Sequence, residues 1–266
     1  IISATLLTDK TVTISNIPDI LDVRRLISLI QGLGVVVEKH SKNKFSFTAK
    51  DIDLDYFASK EYLNEAKKIR GSVMLLGPLL ARYGKAFLPK PGGDKIGRRR
   101  LDTHFHGFIT LGAKFTYDED KDEFFLEAQK LKGTYLHMEE ISVTGTANVV
   151  MAAALAEGET TIYNAACEPY LQQLCAMLNS MGAKITGVGS NLLTIEGVDE
   201  LGGCEHRLLP DFIEVGSFIG LAAMTQSEIT IKNCRVDMLG RIPDTFRRLG
   251  IQLEIKGDDI YIPSQD

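Results

Sequence analysis

Leu155-Ala156-Glu157-Gly158-Glu159-Thr160-Thr161-Ile162-Tyr163-Asn164 decides the fold, because the chain repeats its pattern. The stretch reads as the end of an apolar helix, a turn, a strand of alternating polarity and a closing asparagine. Leu6-Leu7-Thr8-Asp9-Lys10-Thr11-Val12-Thr13-Ile14-Ser15-Asn16 keeps the same order, as does Leu221-Ala222-Ala223-Met224 followed by Glu228-Ile229-Thr230-Ile231-Lys232-Asn233. The asparagines are expected to cap or close turns, since their short polar side chains suit tight backbone geometry.

A second feature sets the period. Apolar helical spacing over Asp22 to Gly34 ends at Leu33-Gly34, and the matching endings are Leu111-Gly112, Met181-Gly182 and Leu249-Gly250. These glycines lie 78, 70 and 68 residues apart, near enough to one period to mark duplicated units. Short strands are predicted after each, at residues 35–38, 113–116, 183–186 and 251–254. A turn and second strand follow, as at residues 192–195 and 260–262. Helix, glycine stop and β-hairpin is the order. Units of about 72 residues suit βαβαββ modules better than most solenoid repeats, and each must pack its helices inward against a sheet. The fold class is α/β (α+β); the number of repeats alone does not fix a barrel or a strand order.

Composition narrows the field. The chain has 266 residues, 44% of them apolar, and a formal net charge of -5, enough for one large domain or two smaller ones. No apolar run reaches the roughly eighteen residues of a membrane span, and no secretory leader is visible. Ile1 to Leu7 reads as the last turns of a buried helix, so the chain is expected to begin inside an element. Cys167, Cys175, Cys204 and Cys234 contain no CxxC pair, and His104 and His106 form no HExxH arrangement; thiols are expected, and no metal. The acidic balance argues against a general nucleic-acid surface. A boundary is expected between Glu205 and Asp211. There Asp211, with Glu214 three residues on, reads either as a capping box or as a crossover presenting both carboxylates to a cleft.

The chemistry concentrates in Lys90-Pro91-Gly92-Gly93-Asp94-Lys95-Ile96-Gly97-Arg98-Arg99-Arg100, which sets one carboxylate among five cations. Gly92 and Gly93 permit turns that bring backbone amides to a ligand, and the cations stabilise phosphate or carboxylate charge. No Walker or dinucleotide fingerprint is present. No aromatic ladder accompanies the arginines, so a single anionic ligand fits better than nucleic acid. Asp94 is a proton donor only if a bound anion offsets its cationic neighbours. A solvated basic turn with Asp94 paired locally is the plain alternative.

Several ordered motifs carry a resemblance: Arg70-Gly71-Ser72, Gly77-Pro78-Leu79-Leu80-Ala81-Arg82-Tyr83-Gly84, the Pro91 to Arg99 loop, residues 154–158, Asn164-Ala165-Ala166-Cys167-Glu168-Pro169 and Leu209-Pro210-Asp211-Phe212-Ile213-Glu214. Together they resemble the UDP-N-acetylglucosamine enolpyruvyl (1-carboxyvinyl) transferases along essentially the whole chain. The resemblance implies two domains, each an inside-out α/β barrel of βαβαββ units. The implied reaction transfers the enolpyruvyl group of phosphoenolpyruvate to the 3-hydroxyl of UDP-N-acetylglucosamine and releases phosphate. That is the first committed, cytoplasmic step of bacterial peptidoglycan synthesis. Neither a redox cofactor nor a metal is implied, nor nucleic acid nor membrane insertion.

Matched by motif, Arg70 and Arg99 resemble phosphate and carboxylate binders. His104 resembles the family histidine beside the sugar nucleotide and closing loop; the alternative for it is a histidine bonded to Asp102. Glu168, Asp211 and Glu214 resemble acidic residues that support substrate placement. Two departures stand out. Asp94 occupies the position where most members carry a cysteine that fosfomycin alkylates; this implies a catalytic general acid without the thiol adduct, and resistance to that drug. Glu140 stands where lysine is common, and no substrate role is assigned to it.

Residues 1–208 are expected to form nearly one whole domain carrying the Asp94 loop, and 209–266 part of a second. The family's amino-terminal Lys-Asn pair and a carboxy-terminal portion are missing. The rest of the same enzyme is therefore an expected partner, and the chain alone is expected to be inactive. The alternatives are a 5-enolpyruvylshikimate-3-phosphate synthase, or a noncatalytic sugar-nucleotide-binding paralogue.

Overall fold

The four repeated helix ends share one geometry: Gly34, Gly112, Gly182 and Gly250 all take left-handed backbone, with φ of 98°, 96°, 104° and 90°. A side chain would be strained in that conformation, which is why each helix stops at glycine. The three repeat asparagines are left-handed too, Asn16 at 63°, Asn164 at 60° and Asn233 at 55°. Asn16 and Asn164 add side-chain bonds to the Leu208 and Met138 carbonyls, so both close turns as their residue type suggests.

The computed structural model describes residues 1–93 and 100–265. It divides into two compact units, Ile1–Leu208 and Leu209–Asp266. The first unit opens with β1 (Val12–Ser15), α1 (Leu21–Gly32), β2 (Val36–Ser41) and β3 (Lys44–Thr48). It continues through α2 (Lys60–Ala66), α3 (Leu76–Tyr83), β4 (Lys85–Pro89), α4 (Asp102–Thr110), β5 (Lys114–Asp118) and β6 (Glu123–Glu127). A complete βαβαββ unit follows: β7 (Tyr135–His137), α5 (Val143–Ala153), β8 (Glu159–Tyr163), α6 (Pro169–Ser180), β9 (Lys184–Thr186) and β10 (Leu192–Glu196). The last strand of the first unit, β11 (Cys204–Arg207), returns to lie parallel beside β1.

The strand orders expose the repeat. One sheet runs β11-β1-β3-β2 and another β7-β8-β10-β9, each a parallel pair joined to an antiparallel hairpin. Among the described residues the third sheet, β4-β6-β5, has no strand in the place that β11 and β7 fill in its sisters. Strands β8 and β10 alternate buried and exposed positions, one face on the core and one outside.

Helices occupy the centre, as expected for an inside-out barrel. Every residue of α5 from Gly145 to Ala153 is buried, the signature of a helix packed on all sides. Its neighbour α3 approaches so closely that a Cβ on Gly77 would lie 2.5 Å from the Asn148 carbonyl oxygen. The segment Ile2–Leu7 is fully buried, but as a 3-10 helix and not the α-helical end read from the sequence; Thr5 Oγ1 donates to the Ile2 carbonyl within it. The Arg82 guanidinium on α3 pins this segment, donating to the carbonyls of Leu6 (3.1 Å), Thr8 (2.9 Å) and Ala49 (2.6 Å).

The second unit carries α7 (Phe212–Met224), β12 (Ile229–Ile231), α8 (Ile242–Arg248), β13 (Glu254–Lys256) and β14 (Asp259–Ile262), with sheet order β12-β14-β13. Strand β13 begins where the predicted strand at 251–254 ends, because the chain leaving Gly250 stays irregular through Leu253. Ile213, Leu221 and Met224 of α7 are exposed, whereas α5, at the same point of its repeat, is covered on all sides.

Candidate functional site

The candidate site grows from three elements of the first unit: the 3-10 turn Arg70–Leu75, the start of α4 and the amino terminus of α5. Arg70, Arg100, His104, Glu140, Ser142 and Thr144 line a cavity of about 530 Å³ there. Ser142 is the N-cap of α5; its Oγ accepts from the Gly145 amide at 3.1 Å. The helix therefore presents its positive end beside two guanidinium groups, a setting for an anion.

His104 is held rigidly, and its tautomer follows from the network. Buried Asn148 accepts from the Gly77 amide through Oδ1 (3.1 Å), so its amide nitrogen must face the other way. That nitrogen donates to the Val73 carbonyl (2.9 Å) and to His104 Nδ1 (2.8 Å). An Nδ1 that accepts leaves the proton on Nε2, which donates to Thr144 Oγ1 at 3.2 Å. Burial, with the Arg70 charge second, pushes the imidazole down to about 4. His104 is thus a neutral, oriented donor near neutral pH. It is not bonded to Asp102, which pairs with Arg100 at 3.4 Å.

The basic loop begins and ends at Arg70. A Cβ on Gly92 would lie 1.9 Å from the Lys67 carbonyl oxygen, and Gly93, at φ 100°, lies against Arg70. On the far side Arg70 Nη2 donates to the Arg100 carbonyl at 3.1 Å. Gly92 is therefore demanded by close packing of two backbone segments, a reason separate from any ligand. Lys90 turns away to pair with Asp122 at 3.0 Å. Asp94 and Arg99 lie outside the described residues.

The remaining candidates fall elsewhere. Glu168 occupies the N-cap position of α6 without capping it, and its Oε2 is buried with no hydrogen-bond partner among the described residues. It does not line the Arg70 cavity. Asp211 and Glu214 belong to the second unit. Asp211 caps α7, accepting from the Ile213 (2.9 Å) and Glu214 (3.1 Å) amides; the reciprocal bond of a capping box, from the Glu214 side chain, is not formed among the described residues. Arg100 is one of the loop cations expected from the sequence, whereas Ser142, Thr144 and Asn148 carried no expected role. The signals were an Ser-x-x-Gly cap and an asparagine inside an otherwise apolar helix.

Three sheets packed around buried helices, with an anion-suited cavity at a central helix terminus, define an enolpyruvyl-transferase-like protein. A family model described as EPSP synthase (3-phosphoshikimate 1-carboxyvinyltransferase) matches residues 1–264, and the chain belongs to that family. It is 63% identical over 266 residues to a UDP-N-acetylglucosamine 1-carboxyvinyltransferase of Bacteroides fragilis, an alignment covering 100% of this chain and 61% of that protein. A protein of the same name from Treponema denticola is 47% identical over 264 residues, covering 99% of this chain and 60% of its own. The chain thus spans about three-fifths of the length of these relatives. Among solved structures, the enolpyruvyl transferase NikO from Streptomyces tendae superposes with a TM-score of 0.83 at 20% identity, over 98% of this chain and 62% of that one. EPSP synthase from Acinetobacter baumannii gives 0.71 at 17%, over 99% and 62%. These two likenesses speak to the fold alone.

Proposed function

We propose that the complete protein transfers the enolpyruvyl group of phosphoenolpyruvate to the 3-hydroxyl of UDP-N-acetylglucosamine, releasing phosphate, in cytoplasmic peptidoglycan synthesis, and so serves cell shape and division. The observation that carries this reading is identity of 60% or more along the whole chain to several proteins named for that reaction. The Arg70 cavity suits it chemically. Two arginines and the α5 terminus meet an anion, while neutral His104 donates through Nε2 to Thr144, orienting that hydroxyl toward the cavity.

In this reading Asp94, protonated, gives its proton to the methylene carbon of phosphoenolpyruvate as the sugar hydroxyl oxygen bonds to the adjacent carbon and passes its own proton to a carboxylate base supplied by the rest of the enzyme. The tetrahedral adduct then returns a proton from the methyl carbon and expels phosphate, leaving the enol ether. Arg70 and Arg99 hold the phosphate and carboxylate; Glu168, Asp211 and Glu214 support substrate placement. Residues 1–208 would then be nearly one whole catalytic domain and 209–266 part of a second, with the rest of the enzyme completing the site. The exposed apolar residues of α7 favour such a complement. Phosphate release on mixing the full-length protein with both substrates tests the proposal; release with shikimate 3-phosphate and none with the UDP-sugar would replace it with the shikimate branch.

A further inference from the structure

We propose that the outer face of the β4-β6-β5 sheet holds a second site, one for a small organic cation, an ammonium or guanidinium on an apolar stem. It does not depend on the transferase reading. The site exists because the repeat is broken here. The sister sheets place a parallel strand beside β1 and β8, whereas the flank of β4 is taken by residues 54–66, and the Tyr62 hydroxyl donates to the Phe87 carbonyl at 2.8 Å. A turn and a short helix cover a sheet less completely than a strand does, and a cavity of about 520 Å³ remains.

Its floor is aromatic. Phe87 and Phe125 are cross-strand partners with ring centroids 4.7 Å apart, and Phe57 packs on Phe87 at 6.1 Å. Glu123, Phe125 and Glu127 alternate along β6, so strand periodicity puts all three on this face. Glu123 is the telling residue. It lines the cavity, is only 8% exposed, and its side chain makes no ion pair or hydrogen bond with any described residue. A carboxylate set in a largely enclosed cavity without a protein counter-charge favours a cation, and ring faces add attraction for one. Asp55 and Glu127 also line the cavity against Lys85 and Lys121, and Lys121 already pairs with Asp118 at 3.7 Å outside it. Negative charge is in excess. A cation whose stem covers the phenylalanines and whose head reaches Glu123 satisfies both features.

Calorimetric titration of the full natural chain with hexylammonium tests this, with hexanol as the neutral probe and N-acetyl-lysine methylamide standing for a protein-borne lysine. The ammonium probe is expected to bind about tenfold or more tightly than hexanol, and Glu123→Gln to remove that preference. Tighter binding of either cationic probe assigns the source as a free amine or a presented side chain. Hexanol binding as well as hexylammonium, unchanged affinity in Glu123→Gln, or no binding of either cation overturns the proposal. Should Glu123→Gln fail to fold, Phe125→Ala, at a partly exposed position, carries the test: a loss of about fivefold or more is expected, and unchanged affinity refutes the site.

Discussion

Asn148→Asp is isosteric and inverts the logic of the His104 network. The aspartate keeps an acceptor for the Gly77 amide but loses both donors, so the Val73 carbonyl is orphaned and a carboxylate oxygen meets the Nδ1 lone pair. Losing a buried donor costs about 1–3 kcal/mol, and the facing lone pairs add to that. The conflict is relieved when a proton enters between ring and carboxylate, which raises the folded-state histidine pKa above its ordinary value.

The signs of the pH response then oppose. In the parent chain the imidazole sits at about 4 against 6.5 unfolded, so His104 favours the folded state above pH 6.5, and this contribution, about 3 kcal/mol, is lost as pH falls toward 4. In Asn148→Asp the pKa is raised, so the stabilisation is fully present below pH 6.5 and is lost as pH rises through the new value. Urea unfolding at pH 5.5, 6.5 and 8, with the histidine resonances followed by NMR, measures both. The variant should be weaker than the parent by about 2–4 kcal/mol at pH 8 and close that gap on acidification. Parallel loss of stability in parent and variant as pH falls would refute the assigned tautomer.

Three further outcomes are expected. Arg82→Met leaves the Leu6, Thr8 and Ala49 carbonyls without their shared donor and should cost about 2–3 kcal/mol in urea unfolding; a change below about 0.5 kcal/mol would show the pin to be dispensable. Gly77→Ala drives a methyl into the Asn148 carbonyl and should destabilise by about 1–3 kcal/mol or more, read as a lowered thermal midpoint; neutrality would mean α3 and α5 can separate at little cost. The full-length protein should keep its activity in fosfomycin, while Asp94→Ala should lose about a hundredfold or more of turnover; an adduct on Asp94 found by mass spectrometry, or full activity of the alanine variant, contradicts the assigned roles.

The repeat was legible because it is written in residues with one physical meaning each. Glycine after a helix and asparagine after a strand both mark left-handed backbone, and all seven positions adopt it. Strand alternation was equally plain in β8 and β10. What stayed hidden depends on contacts distant in sequence. Gly92 looked like a ligand-binding glycine until the Lys67 carbonyl appeared beside it. Asp102 was the alternative partner for the histidine, yet the partners come from a helix some forty residues on, Thr144 and Asn148. Asn148 was the readable exception, since an amide inside a helix of Val, Met and Ala must satisfy buried groups.

Phosphate release by the full-length protein is the most direct test of the whole account, measured with phosphoenolpyruvate and, in parallel, UDP-N-acetylglucosamine or shikimate 3-phosphate. Stoichiometric phosphate and a UDP-sugar enol ether are expected with the first acceptor, and neither product with the second. Phosphate release with shikimate 3-phosphate alone, or binding of the UDP-sugar without turnover, would contradict it.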